Sequence, residues 1–296
     1  MLIDAHQHAF WHKHDDSYLV ADMDANGIDF AWLLSCEMSA IEDRKDLDPF
    51  INPINRWTDG RCIGLPLADQ LRARDHYPQR FVAGYCPHPM WCDAAELFDS
   101  AYHMYGVRVC GEWKYKMLVD DPRCLLLFRK AGQLGCPVVV HMDVPFRLDP
   151  AGGQWRYQDE WYGGTVDNLR RALEACPETI FIGHGPGFWR EISGDAQNDP
   201  ALYPSGPVAP GGKLYNLFAA FSNLHADLSA NSALDAIARD PVHGLKFLAQ
   251  FADRLLFARD TYGTKHRDFL STLQMPQDVQ DKIYFENALR LVPPPS

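Results

Sequence analysis

The feature that most constrains this chain is a repeated alternation. Short apolar, β-branched runs fall at residues 2–6, 30–35, 81–85, 106–111, 137–141, 179–183, 224–228 and 254–258. Segments with helical periodicity follow them at 18–26, 64–76, 93–105, 122–135, 166–175, 215–222, 232–251 and 278–291. Runs this short and this continuously apolar suit strands buried on both faces, as parallel strands covered by helices are. Helix ends are marked locally: Asn26-Gly27 and Leu134-Gly135 read as glycine C-caps, and Asp121-Pro122 as an N-cap with proline at the first helical position. Eight β-then-α units in 296 residues fit a single-domain α/β fold, the (β/α)8 TIM barrel. A doubly wound open sheet would carry a glycine-rich phosphate loop after its first strand, and none is present. The barrel is expected over residues 1–291, with 292–296 as a proline-rich tail.

Composition removes several function classes. A formal net charge of -11 and the lack of any Lys/Arg run argue against nucleic acid, whose phosphates need neutralising. No apolar run approaches the roughly 20 residues that a membrane span requires, and the first residues lack the basic and apolar regions of a signal peptide. The eight cysteines, at 36, 62, 86, 92, 110, 124, 136 and 176, form no C-x-x-C pair and read as reduced thiols. The expected setting is the cytoplasm. The expected partner is a small-molecule substrate, and homo-oligomers are left open.

The chemistry gathers at the strand ends. His6 and His8 are two apart at the end of the first run, and alternation points both side chains one way. Four later runs end in further ligand-type residues: Glu112, His141, His184 and Asp260. In a barrel these positions encircle one small volume at the C-terminal face. Imidazoles with carboxylates suit Zn2+, with Mn2+ or Fe2+ as alternatives, better than Mg2+ or Ca2+. Such an ion supplies hydroxide at neutral pH, and Asp260 is the natural base for the water's proton.

Together these motifs resemble the amidohydrolase superfamily, in its amidohydrolase-related (amidohydrolase 2) branch. IDAHQH resembles the family's first-strand signature. HMDVP, IGHGPGFW and LLFARD stand at the places of its strand-5 His, strand-6 His and strand-8 Asp, and IYFENALRL resembles its closing helix. The resemblance runs from Met1 to about Leu291. It implies one or two divalent metals and attack of a metal-bound hydroxide on an amide, ester or lactone carbonyl. In some members it implies decarboxylation of a small aromatic acid instead. Carried onto this chain, it makes His6, His8 and His141 metal ligands and Asp260 a ligand that shuttles the proton. His184 becomes either a ligand or a donor polarising the substrate carbonyl. Glu112 is either a bridge between two metals or an acid beside one. A third class, an inactive barrel serving as a scaffold, would need none of these residues.

Other positions are read with alternatives. Asp4 shares parity with His6 and either holds an imidazole or is a buried acid tied to a neighbouring strand. Trp11, Arg147, Trp189 and Arg190 are candidate substrate contacts, against loop packing. Asp227 and Ser229 end the seventh run and stand where a pocket wall would be, as does His88 after the third. Lys114 lies beyond the fourth strand, and alternation turns Arg259 away from the axis. Three long connections, 37–61, 142–164 and 185–212, fall on the substrate-binding face, and the middle one carries aromatics and arginines suited to a lid. Cys110 has no base beside it, and no G-x-S-x-G elbow occurs.

Overall fold

The computed structural model describes residues 1–38, 49–60, 63–149, 151 and 153–295. Eight barrel strands are found among them. They are β1 (Ile3–Gln7), β2 (Phe30–Leu33), β3 (Phe81–Ala83), β4 (Cys110–Trp113), β5 (Val138–His141), β6 (Phe181–His184), β7 (Leu224–Asp227) and β8 (Leu255–Leu256). Every neighbouring pair within the two sheets, β1-β2-β3 and β4 to β8, is parallel. A parallel bridge between Gly84 and Val109 joins β3 to β4. At the other seam Ala5 N donates to Phe257 O and Asp260 N to His6 O, both at 3.0 Å. The two seams close the (β/α)8 barrel.

Alternation along the strands makes two apolar layers. Ile3, Ala5, Trp32, Val82, Val139 and Ile182 fill the interior, together with Ala288 and Val292. Val292, the first residue of the expected tail, is therefore part of the core. On the outer face, Ala31, Leu33, Val138, Val140 and Phe181 pack against Met23, Phe98, Phe128 and Leu169 of the surrounding helices. Those helices begin where the chain supplies caps: the Asp121 side chain accepts from Arg123 N ahead of Pro122–Gln133, and Thr165 and Asn168 form a capping box on Val166–Ala175.

Some boundaries differ from expectation. The segment 232–251 forms two helices, Ala230–Ala238 and Pro241–Gln250, because Asp240 caps His243 N and Pro241 has no N–H to continue the first. Gly64 and Leu65 form a short antiparallel pair with Cys36–Glu37, so the second helix starts at Leu67, after Pro66. A helix at Lys265–Thr272 was not expected. The 142–164 connection contains a hairpin, Phe146–Leu148 against Trp155–Tyr157. Of the 37–61 connection, residues 39–48 and Arg61 lie outside the described residues, as do Cys62, Pro150, Gly152 and Ser296. The seven described cysteines are all free thiols. No helix of the described residues is long and apolar enough to cross a membrane.

Candidate metal centre

Two irregularities in the strands aim the candidate ligand side chains. Asp4 pairs with Ala31 and Gln7 with Leu33, so β1 advances three residues while β2 advances two. The extra residue is a bulge, and it reverses the alternation. Ile3 and Ala5 face the interior before it, His6 and His8 face it afterwards, and Asp4 and Gln7 bond to each other on the outer side. The same three-against-two step occurs in β4, between Cys110↔Val138 and Trp113↔Val140. Strict alternation from the inward Val109 would send Glu112 to the helices; the bulge sends it inward instead. On β5 and β6 no bulge is needed, because His141 and His184 are direct partners in register. Asp260 follows β8 with φ of 52°, a left-handed conformation that Asp tolerates better than most residues.

The side chains converge. His6, His8 and Glu112 offer ligand atoms within 4.8 Å of one another, as do His6, His184 and Asp260, and Glu112, His141 and His184. His8 Nε2 lies 3.4 Å from Asp260 Oδ1 and 3.8 Å from Glu112 Oε2. His184 Nε2 lies 3.7 Å from Glu112 Oε1 and 3.9 Å from Asp260 Oδ2. His141 Nδ1 is 2.7 Å from Glu112 Oε1.

The outer nitrogens of three rings are held in place. Asp227 takes His6 Nδ1 on one oxygen and His184 Nδ1 on the other, each at 2.9 Å. Ser229 Oγ donates to Asp227 Oδ1 at 2.6 Å, and His8 Nδ1 meets Leu34 O at 2.7 Å. With Nδ1 engaged, Nε2 of each ring is the atom left for the centre. His6 Nε2 and Asp260 Oδ1 are both buried there without a hydrogen-bond partner.

Charge and burial oppose each other at His6, Asp260 and Glu112. Burial works to lower His6, but the Asp227 carboxylate outweighs it and raises the imidazole to about 9. Burial works to raise Asp260, and the imidazoles of His8, His6 and His184 bring it down to about 2. Glu112 is likewise held well below the usual range: burial opposes, while Lys114 and His141 prevail. His141 is pushed down to about 3 by burial and by Lys114.

Other expected contacts sit as follows. Asp4 holds no imidazole; because of the bulge it faces Arg259, which donates to it from Nε at 2.6 Å and from its backbone N at 2.9 Å. Arg259, turned outward as expected, also reaches Asp22 at 2.6 Å. The carboxylate that holds the imidazoles is Asp227. Trp189 is fully buried, and its indole donates to Asp227 O at 3.1 Å, which braces that residue. Trp11 donates to Asp260 O at 3.0 Å and stands 5.3 Å from the His8 ring, at the rim of the cluster. Arg147 is engaged by Gln158 Oε1 at 2.9 and 2.5 Å across the hairpin. Arg190 Nη2 donates to Ala196 O at 2.5 Å and Asp199 O at 2.6 Å. Sequence reading missed Asp143, which is buried with Oδ1 unpartnered and is pushed up to about 6 by burial. Its shared parity with His141 was the available signal. Lys114, one residue past β4, places its ammonium 5.5 Å from the Tyr162 ring, and Tyr162 in turn lies 5.5 Å from His141.

No family model matches the chain, and no curated protein matches it in sequence. Solved structures are similar in fold. A TIM-barrel protein from Bordetella bronchiseptica superposes with a TM-score of 0.60 at 18% identity, covering 93% of this chain and 81% of the other. A dihydroxybenzoic acid decarboxylase from Polaromonas sp. JS666, with bound manganese and the inhibitor 2-nitroresorcinol, gives 0.54 at 18% identity, covering 93% and 84%. A protein called amidohydrolase II gives 0.56 at 14% identity, covering 98% and 99%.

Proposed function

We propose that this chain is a metal-dependent hydrolase of the amidohydrolase type, acting on an amide, ester or lactone carbonyl of a small organic anion. The observation that carries the reading is Asp260 Oδ1, a carboxylate oxygen buried among imidazoles, 3.4 Å from His8 Nε2 and without a hydrogen bond from the protein. A base for water needs that placement and an ionised state, and the histidines around Asp260 favour the ionised state. A cation fits the residues present, since His6 Nε2 and Asp260 Oδ1 are orphaned atoms facing one volume. His6, His8, Glu112, His141, His184 and Asp260 are the residues that would hold one such ion or two, and the donor set suits Zn2+, Mn2+ or Fe2+. Such an ion, when bound, polarises a carbonyl and lowers the pKa of its water to about 7. Asp260 then takes the proton of the attacking water and returns it to the leaving amine or alcohol. Asp227 keeps the His6 and His184 rings from rotating while this happens.

A second reading is supported by the likeness to a decarboxylase. There the carboxylate's carbon–carbon bond breaks, CO2 leaves, and Asp260 with His184 governs the passage of a proton from water to the carbon left behind.

Metal content of the purified protein, measured by plasma mass spectrometry with Glu112→Ala and His6→Ala beside it, tests the centre. A bridged pair of ions falls to a single ion without Glu112; a single ion that survives Glu112→Ala but not His6→Ala supports decarboxylation more. No uptake on titration sinks both readings. Product analysis separates them: hydrolysis gives a new carboxylate with an alcohol or amine, decarboxylation gives CO2.

A further inference from the structure

The candidate ligand side chains do not form one even ring. Two of their close groups share His6, one with His8 and Glu112 and one with His184 and Asp260; the third, Glu112 with His141 and His184, does not include it. The cluster therefore has two poles, one around His6 and one around His141. At the second pole Glu112 Oε1 and His141 Nδ1 are already joined at 2.7 Å, so a cation there has to part them.

Lys114 stands beside this second pole. It follows β4 directly, two residues after Glu112. Its ammonium lies 5.5 Å from the centre of the Tyr162 ring, and that ring lies 5.5 Å from the His141 ring. Tyr162 is fixed there by two backbone hydrogen bonds with Asp143, each 2.9 Å, so the long connection after β5 brings the aromatic face back against the strand that carries His141. An aromatic face attracts a cation without neutralising it, and no salt bridge of the described residues includes Lys114. Its charge is spent on the cluster instead. Lys114 is the foremost charge acting on both Glu112 and His141, and it favours the ionised carboxylate and the neutral imidazole. At the first pole His6 answers first to Asp227, and Asp260 to the imidazoles around it. A buried carboxylate with imidazoles ordinarily draws a metal ion; at the second pole a tethered ammonium already supplies positive charge, and it repels a dication strongly where water is excluded.

We propose that Lys114 sets the number of ions: its ammonium stands in for a second metal beside Glu112 and His141 and confines the centre to one divalent cation, at the pole around His6. The proposal rests on the reading of the cluster as a metal centre, which both reactions above share. It deepens that reading by fixing the count and naming the residue that determines it.

The test titrates metal-stripped full-length protein with Mn2+, reading free ion by paramagnetic resonance and bound ion by plasma mass spectrometry. Circular dichroism confirms that each variant is folded. One tight equivalent is expected for the unaltered protein and for Lys114→Arg, which keeps the charge. Lys114→Met keeps an unbranched side chain and removes the charge. It is expected to take a second equivalent at least about 100-fold more tightly than the unaltered protein does, and the two neighbouring ions should broaden each other's resonance. Adding Glu112→Gln to Lys114→Met is expected to remove that second ion. Two tight equivalents in the unaltered protein or in Lys114→Arg, or a single equivalent in folded Lys114→Met, would overturn the proposal and leave the metal centre standing. No uptake by any of the proteins would remove the metal centre and the proposal together.

Discussion

Replacing Asp227 by asparagine is the perturbation whose outcome follows most directly from the geometry. The aspartate offers two acceptor oxygens, and each takes one Nδ1, from His6 and from His184, at 2.9 Å. Asparagine keeps one acceptor and turns the other into a donor. Only one imidazole can then keep its proton on Nδ1. The other must move it to Nε2, the atom that faces the centre, and is lost as a ligand until the ring is forced back. Loss of such an outer partner typically costs about 10- to 100-fold in metal affinity, or roughly 1.4 to 2.7 kcal/mol. The assay is competition with a chromophoric chelator for manganese or zinc, with circular dichroism confirming that the variant is folded. Asp4→Asn is the control: it lies on the opposite face of β1, so it should leave metal affinity unchanged although it weakens the pair with Arg259. Asp227→Asn affinity within threefold of the unaltered protein would refute the argument that one carboxylate orients both rings.

Three further outcomes are expected. Arg259→Leu leaves Asp4 buried without its partner, so unfolding in urea should show a loss of about 3 to 5 kcal/mol; a change below 1 kcal/mol would contradict the role of this pair at the seam. His225 is held neutral, down to about 3, by burial and by the charges of Arg290 and Arg254. The unfolded chain therefore binds a proton below about pH 6.5 that the folded chain refuses until near pH 3, so stability falls on acidification across that window. Comparing His225→Leu with the unaltered protein between pH 6 and pH 4 should remove about 1.4 kcal/mol per pH unit of that slope; parallel slopes would refute it. Gly183→Ala places a Cβ 2.3 Å from the Phe188 ring, next to His184. A loss of about 1 to 3 kcal/mol is expected in thermal or urea unfolding, and an unchanged midpoint would show that the ring can yield.

The parts of this molecule that could be read from sequence are those governed by local rules. Short continuous apolar runs, glycine and proline punctuation and an N-capping Asp121 depend on neighbours in the chain, and they located the barrel strands. The convergence of His6, His8, Glu112, His141, His184 and Asp260 could be anticipated because strand ends in a barrel share one volume. The bulges could not, since each depends on how one strand pairs with another. That is why Asp4 and His6, two apart, were given one face and in fact occupy two. Asp227 was seen only as a wall residue for a related reason: its importance lies in touching two rings at once, a fact of three strands together. Trp189 looked like a substrate contact because it follows His184 closely, but tertiary packing buries the indole against Phe188, Phe247 and the Asp227 carbonyl.

The closing seam has a consequence for how the protein is made. The hydrogen bond between His6 and Asp227 joins residues 221 apart in sequence, and the Asp4–Arg259 pair joins residues 255 apart. Contacts of that span form only after most of the chain is available, and folds dominated by them fold slowly. On a ribosome, the first strand emerges with both of its histidines long before Asp227 exists to orient His6 or Asp260 to face them. Competence to bind a metal should thus appear abruptly, when the last strand docks beside the first. A chain cut before β8 would keep His6 and His8 but lose Asp260, and one cut before β7 would lose Asp227 as well. On the proposed reading, metal uptake by nascent or truncated chains would report on barrel closure.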